Sequence, residues 1–209
     1  MNAVGSGFLR TLPRLLLDSA VLFSILLALP GAVMTYRYAA GGTFYGEYVH
    51  VTGDFAARLL IVALAVTPLR LAFPTSKWIA RLARRRRQIG VAVFGYALLH
   101  AAAYLLRQPA ATIAAQAAEI AMATGWLAFL GMATLAVTSN DASVRLLRRG
   151  WKMLHRAVYA VAVLTFAHWI MTAFDPVPGS IHLGVLATLE AARLWLSRAA
   201  RRRMARRAA

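Results

Sequence analysis

Three histidines lie within apolar stretches that are long enough to cross a bilayer. His155 and His168 share the stretch from Trp151 to Phe174, and His100 lies in another of similar length. A helical span needs about 20 residues, and a polar side chain inside the membrane usually marks a functional site because its burial is costly. Imidazole is a common ligand of haem iron, and helix bundles hold cofactors between side chains on facing helices. The histidines therefore indicate either a haem site or rings that only hydrogen-bond to neighbouring helices.

The depth of each histidine in the membrane selects a pair. The helices that carry His100 and His168 run in the same direction in the topology predicted below, and both rings fall in the outer half. His155 precedes His168 by thirteen residues, a rise of about 20 Å, so it lies near the inner boundary. Small residues around His100 leave room for a flat macrocycle, although close helix packing would also explain them. We predict that His100 and His168 are the axial ligands of one haem and that His155 cannot join them.

The surroundings of His155 predict a second site at the inner boundary. Trp151, Lys152 and Arg149 are its neighbours in sequence, and cations suit haem propionates, phosphate or polarised carbonyl oxygens. We expect this site to hold a second haem, a flavin or a quinone; the alternative is a histidine that hydrogen-bonds to nearby backbone among lipid-binding arginines. On an ideal helix His155 and His168 would point about 140° apart, so we expect a bulge between them or two cofactors on different sides.

One further cation lies inside an apolar segment. Arg58 is about one third of the way in from the outer side, which is too deep to face lipid cheaply. It is a candidate contact for a haem propionate or a quinone headgroup. Asp54 is four residues earlier, on the same helical face, so a structural ion pair is an equally good explanation.

These residues must be positioned by helices, because 60% of the 209 residues are hydrophobic. We predict an all-α integral membrane protein, a bundle of six transmembrane helices with both termini in the cytoplasm. The segments are 15–35, 50–71, 88–106, 118–138, 153–173 and 182–199, and the cations cluster in alternate loops, as the positive-inside rule requires. Residues 1–14 are the predicted cytoplasmic N-terminus, 15–199 the transmembrane haem domain and 200–209 a basic cytoplasmic tail.

Composition also excludes several classes of protein. The chain has no cysteine, which excludes iron–sulfur clusters, covalently attached haem, thiolate zinc sites and disulfides, so any haem must be held by histidine and be non-covalent. The net charge of +17 is explained by the cytoplasmic loops and anionic lipid, not by nucleic acid. No GxGxxG or HExxH motif is present, so the chain does not take hydride from NAD(P)H by itself and is not a metalloprotease of that type.

Several strings together resemble the ferric-reductase-like transmembrane domain, and within it the haem-binding membrane subunits of bacterial methionine sulfoxide reductase systems. The strings are TG (52–53), TPLR (67–70), GYALLH (95–100), TS (138–139), WKMLHRAVY (151–159) and HW (168–169). The resemblance covers roughly residues 45–175. It implies b-type haem and electron transfer across the bacterial inner membrane, and FMN binding is also attributed to the family.

The resemblance also implies partners. Electrons would come from the quinone pool or from a cytosolic flavin reductase, and would pass to a soluble periplasmic molybdopterin reductase, MsrP, which repairs oxidised periplasmic proteins. The chain would be an electron-transfer subunit without a catalytic constellation for the sulfoxide. Two alternatives stay open: a freestanding transmembrane reductase of iron or oxygen, and a structural bundle without redox chemistry.

The chain departs from the wider superfamily in the number of histidine pairs. Eukaryotic members use two pairs, and the inner partner would fall thirteen or fourteen residues before His100. Arg86 and Arg87 stand there instead. One haem is therefore expected, and a second lacks an evident ligand opposite His155.

Overall fold

The computed structural model describes residues 18–208, and the regular elements in that range are α-helices. In chain order they are α1 (Ala20–Ala39), α2 (Tyr45–Ala72), α3 (Lys77–Arg84), α4 (Arg86–Arg107), α5 (Ala110–Gln116), α6 (Ile120–Val137), α7 (Asp141–Leu147), α8 (Arg149–His155), α9 (Val158–Thr172) and α10 (Val177–Ala208). The predicted N-terminal segment, 1–14, and the first three residues of the first predicted span lie outside the described residues.

Five helical segments of the described range are long and apolar enough to cross a membrane. They are Ala20–Ala39, Tyr45–Ala72, Arg86–Arg107, Ile120–Val137 and Arg149–Thr172, the last of which combines α8 and α9. The sixth predicted segment, 182–199, is helical as part of α10, but it contains Glu190, Arg193 and Arg198. The all-helical, multi-pass membrane architecture is therefore confirmed, whereas the sixth span and the side on which the termini lie stay predictions.

The long helices alternate in direction, which gives the bundle two ends. We call the end with Tyr45, Arg107 and Thr172 the outer end, and the end with Asp18 and Asp141 the inner end, following the predicted topology. The central helix is α2, which packs against α4 and α10, while α6 packs against α9. Small side chains allow such close approach, and the buried core contains the following residues: Ala56, Ala57, Leu60, Val93, Ala97, Met132, Ala162 and Phe166.

Ion pairs join the helices at the inner end. The Asp18 carboxylate forms ion pairs with Arg81 and Arg84, whose nitrogens lie 3.3 Å and 3.1 Å from its Oδ1. These pairs connect the start of α1 to α3. Arg87 pairs with Asp141 at 2.8 Å and ties α4 to α7. Exposed pairs of this kind each contribute about 0–1 kcal/mol, so their main effect is to hold the basic loops against the bundle.

A tyrosine hydroxyl joins α4 to α1 within the membrane. Pro30 interrupts the hydrogen bonding of α1 because it has no N–H. One residue later, the Gly31 N–H donates to the Tyr96 hydroxyl at 2.9 Å, and that hydroxyl donates to the Leu27 carbonyl at 2.9 Å. The tyrosine oxygen therefore stands between a carbonyl and the N–H four residues later, which would otherwise bond to each other.

The fifth span is not one continuous helix. It is interrupted at Arg156 and Ala157, whose N–H groups bond to the carbonyls of Met153 and Leu154, three residues earlier. Such three-residue bonds tighten the helix locally. The structure thus has a tightened turn directly after His155 and not the inserted residue of a bulge, while the alternative of two cofactors on different sides of the helix stays a prediction.

Candidate functional site

His100 on α4 and His168 on α9 face each other across the interior of the bundle. Their ring centroids are 6.2 Å apart, and the ring planes are inclined at 87°. A metal–imidazole bond of about 2 Å, with the nitrogen about 1 Å from the ring centroid, would place two axial ligands about 6 Å apart. The two rings therefore have the separation that a single metal ion between them requires.

Hydrogen bonds determine which ring nitrogen each histidine presents. Nδ1 of His100 lies 2.9 Å from the Val49 carbonyl oxygen, and Nδ1 of His168 lies 2.7 Å from that of Ala121. A carbonyl can only accept, so each Nδ1 carries the proton and donates it. In a neutral imidazole Nε2 is then unprotonated and keeps its lone pair. Metal-binding histidines in proteins are commonly oriented in this way by a carbonyl or carboxylate.

An apolar cavity of about 380 Å³ surrounds the two histidines, between α2, α4, α6 and α9. Small residues, among them Ala57, Ala97 and Ala101, leave the space beside His100. Larger side chains, Trp126 and Phe129 among them, close other parts of the wall. Cavities of about 300–1,000 Å³ with mostly apolar walls and few polar groups are typical of cofactor sites. The donor set and the walls thus fit a haem held by two histidines.

The polar groups of the cavity lie near its outer side. Tyr45, His50 and Asp54 line it, and the Asp54 carboxylate accepts from the Arg58 guanidinium at 2.6 Å. Arg58 is half exposed and does not line the cavity. The geometry therefore corresponds to the structural ion pair, and a contact between Arg58 and a propionate stays a prediction.

His155 lies in a separate cluster at the inner end of α6. Its Nε2 is 3.1 Å from the Thr138 hydroxyl, which itself donates to the Thr134 carbonyl at 2.7 Å. The imidazole is therefore the donor in the first of these bonds, and its Nε2 is protonated. The Trp151 indole stacks on the ring at 3.9 Å between centroids, and its N–H donates to the Thr138 carbonyl at 2.9 Å.

The other residues predicted for the inner site are at the surface. Arg149 and Lys152 are exposed, so of the predicted group the structure brings only Trp151 into contact with His155. Among residues 18–208 no group of three or more His, Cys, Asp or Glu side chains could hold a metal ion.

Several features of the two sites were not identified from the sequence. The acceptors of both outer histidines are backbone carbonyls, which side-chain types do not reveal. Thr138 belongs to the TS string, which does not reveal its contact with His155. Gly125, next to His168, was not singled out, although the dipeptide Thr-Gly occurs only at 52–53 and 124–125. That repeat was the available signal.

The fold and the cavity define a multi-pass helical membrane protein with a paired-histidine site between four of its helices. The family model of the ferric reductase like transmembrane component matches residues 52–166, more than half of the chain. The chain belongs to this family, which assigns it to membrane electron transfer. The match includes His100 and His155 and ends two residues before His168.

Comparison with individual proteins gives a consistent result. The protein-methionine-sulfoxide reductase heme-binding subunit MsrQ of Xanthomonas oryzae pv. oryzae is 35% identical over 187 residues, covering 82% of this chain and 79% of the relative. The subunit of the same name from Rhizobium meliloti is 33% identical over 172 residues, covering 78% and 77%. No solved structure matches the chain significantly.

Proposed function

We propose that the chain is a haem-binding electron-transfer subunit that passes electrons across the bacterial inner membrane to a periplasmic protein-methionine-sulfoxide reductase. The observation that carries the proposal is the pair of imidazoles with centroids 6.2 Å apart, each with Nδ1 bonded to a carbonyl and Nε2 left unprotonated. The resemblance to proteins named heme-binding subunit of such a reductase supports the choice of cofactor and system.

Within this proposal the chain would bind one non-covalent b-type haem at the outer site, held by His100 and His168. When bound, the haem supplies one-electron chemistry, alternating between ferric and ferrous iron. The carbonyls of Val49 and Ala121 hold the imidazoles in the ligating tautomer. The apolar wall excludes water, which limits reaction with small oxidants on the way.

Electron uptake would occur at the inner end. A hydrocarbon core of about 30 Å separates the two faces, so a donor must reach a site close to the inner boundary. Trp151, His155 and the nearby cations Arg149 and Lys152 are the proposed contacts for a quinol, or for FMN or a cytosolic flavin reductase. Because the Nε2 proton of His155 is donated to Thr138, this geometry favours contact with such a donor over ligation of a second haem.

Electron delivery would occur at the outer end. The proposed partner is a soluble periplasmic molybdopterin reductase, MsrP, which would carry the sulfoxide chemistry that this cysteine-free chain has no groups to perform. Phe44, within the segment 36–48, and Phe174, next to the segment 175–180, are strongly exposed at this end, and these two segments are the proposed docking surface. Low charge and exposed aromatic rings suit a weak, transient contact.

Reconstitution tests the whole proposal. The full chain, loaded with haem in liposomes, is supplied with a quinol or a flavin reductase on the inner side, and with MsrP and a methionine sulfoxide peptide on the outer side. We expect a reducible haem spectrum and sulfoxide reduction that needs both proteins. Reduction of ferric chelates or oxygen, with no transfer to MsrP, would favour the freestanding reductase instead. A chain that binds no haem would contradict the proposal altogether.

A further inference from the structure

The two outer histidines are held by the same local arrangement on two different helices. His100 donates to the carbonyl of Val49 on α2, and Gly53 is four residues further along. His168 donates to the carbonyl of Ala121 on α6, and Gly125 is again four residues further along. In an α-helix, residues four apart lie one above the other on the same face. A ring that reaches such a carbonyl must therefore pass directly over the glycine.

A Cβ atom at either glycine would crowd the histidine ring above it, more severely at position 125 than at position 53. A Cβ atom at position 53 would lie 3.0 Å from Nδ1 of His100, and one at position 125 would lie 2.6 Å from Nδ1 of His168. Ordinary contacts of a Cβ atom are 3.4 Å or longer. The crowding falls on the nitrogen that makes the orienting hydrogen bond, and not on the far end of a flexible chain.

Each glycine is preceded by a threonine that bonds to the same carbonyl. The Thr52 hydroxyl lies 3.1 Å from the Val49 carbonyl oxygen and 2.8 Å from that of Tyr48. The Thr124 hydroxyl donates to the Ala121 carbonyl at 2.8 Å. The two Thr-Gly dipeptides of the chain thus mark the two carbonyls that accept from histidine. Glycine inside a helix is unfavourable relative to alanine, and at these two positions the crowding by histidine supplies a reason for it.

We propose that Gly53 and Gly125 are positioning residues for the haem ligands. Without a Cβ atom, each lets an imidazole lie against the helix, so that Nδ1–H reaches the carbonyl and Nε2 points towards the other histidine. Neither glycine would touch the iron; each acts through the histidine that packs against it. The expected effect on haem binding rests on the proposed function. The expected effect on the orientation of the rings does not, because it can be measured in the protein without haem.

Close helix packing by itself is the competing explanation, and the chain contains controls for it. Gly131 lies on α6 like Gly125 and faces α9 in the same way, but a Cβ there would meet Val161 Cγ2 at 2.5 Å. Gly31 on α1 would crowd the Tyr96 ring at 3.1 Å. A Cβ at Gly95 would have no atom within 4 Å. The chain therefore has glycines that are as crowded as Gly53 and Gly125 but lie against other side chains, and these serve as controls.

The shorter the contact of the added Cβ atom with a histidine, the larger the expected effect of the glycine-to-alanine substitution on haem binding. Gly125→Ala displaces the His168 ring and breaks its bond to the Ala121 carbonyl, and loss of such a supporting bond typically weakens metal-site affinity about 10–100-fold. Gly53→Ala should act in the same direction but less, because its contact of 3.0 Å can be relieved by a smaller shift. Gly131→Ala should lower the unfolding temperature without changing the ligand field, and Gly95→Ala should change neither.

The test uses the full-length chain in detergent, with three measurements on each variant. Haem titration gives the affinity, electron paramagnetic resonance of the ferric form reports the ligand field, and nitrogen-15 magnetic resonance of the apoprotein reports the tautomers of His100 and His168. We expect the wild type to show Nδ1-protonated rings. The Gly125→Ala protein should lose that tautomer at His168, bind haem more weakly and show a changed electron paramagnetic resonance spectrum. Gly131→Ala should retain the tautomers and the spectrum.

Two outcomes would overturn the inference. One is a Gly125→Ala protein with wild-type tautomers, affinity and spectrum; the other is a Gly131→Ala protein that changes them as much. If Gly125→Ala yields no folded protein, Gly53→Ala is judged by the same criteria. If the wild type binds no haem, the proposed function fails, and the tautomers of the apoprotein variants alone decide whether the glycines position the rings.

Discussion

The chain places the same kind of side chain in two different settings. At the outer site, His100 and His168 donate through Nδ1 to backbone carbonyls, which leaves Nε2 unprotonated, and both rings line a cavity. At the inner end, His155 donates through Nε2 to Thr138 and stacks on Trp151. The comparison shows that the neighbours of an imidazole, and not its presence in a membrane helix, determine which nitrogen is available for ligation.

The two settings also differ in what surrounds the ring. The outer pair borders about 380 Å³ of mostly apolar space that can receive a cofactor. The inner ring is covered by an indole at 3.9 Å between centroids and has exposed cations nearby in sequence. The first arrangement suits a permanently bound group, and the second suits exchange with a donor that comes and goes.

Removing an outer histidine gives the largest expected effect. His100→Ala and His168→Ala should each abolish or severely reduce haem binding, because one axial ligand is lost and the remaining imidazole stays in an apolar cavity. Absorbance of haem per mole of purified protein measures this. His182→Ala is the control, since that half-buried ring donates to the Pro178 carbonyl of its own helix. Wild-type spectra in both outer variants would show that the ligand assignment is wrong.

Removing the cation beside the outer cavity separates the two explanations of Arg58. Arg58→Met leaves the carboxylate of Asp54 without its partner, which should lower the free energy of unfolding by about 1–3 kcal/mol. Haem affinity should stay unchanged if the pair is structural. The double variant Asp54→Asn/Arg58→Met should recover part of the stability in thermal unfolding. A large loss of haem affinity in Arg58→Met, with stability retained, would instead favour contact with a propionate.

Removing the inner histidine should leave the outer site intact. His155→Ala deletes one hydrogen-bonding group at the proposed uptake site, and a loss of about 1 kcal/mol would weaken donor binding about fivefold. Reduction by quinol added on the inner side, followed by stopped-flow absorbance, measures the change, while the oxidised spectrum should match the wild type. An unchanged reduction rate would favour a purely structural role for His155.

The smallest expected effect comes from the indole that covers His155. Trp151→Phe keeps an aromatic ring for stacking but loses the N–H that donates to the Thr138 carbonyl at 2.9 Å. We expect a loss of about 0.5–1.5 kcal/mol in stability, a haem spectrum like that of the wild type, and a reduction rate close to it. If Trp151→Phe slowed reduction more than His155→Ala, the indole would be the principal contact of the donor.

Local sequence is sufficient to predict the class of the protein and the depth of its polar residues. Hydropathy and segment length predicted a multi-pass helical membrane protein, because an apolar run of about 20 residues has few other stable settings. The rise per residue separated His155 from the other two histidines, and the structure brings His100 and His168 together. Depth depends only on position along a helix, so local sequence is sufficient for it.

The hydrogen-bond partners of these residues, and the nitrogen that each histidine leaves free, depend on the tertiary structure. The carbonyls that orient His100 and His168 are 51 and 47 residues away in sequence, and every residue has a carbonyl, so nothing in the side-chain pattern identifies them. The break at Arg156 and Ala157, and the protonated nitrogen of His155, likewise depend on which helix face meets which neighbour. Rotation about a helix axis and contact across the bundle are set by packing of the whole chain, and a one-dimensional pattern does not specify them.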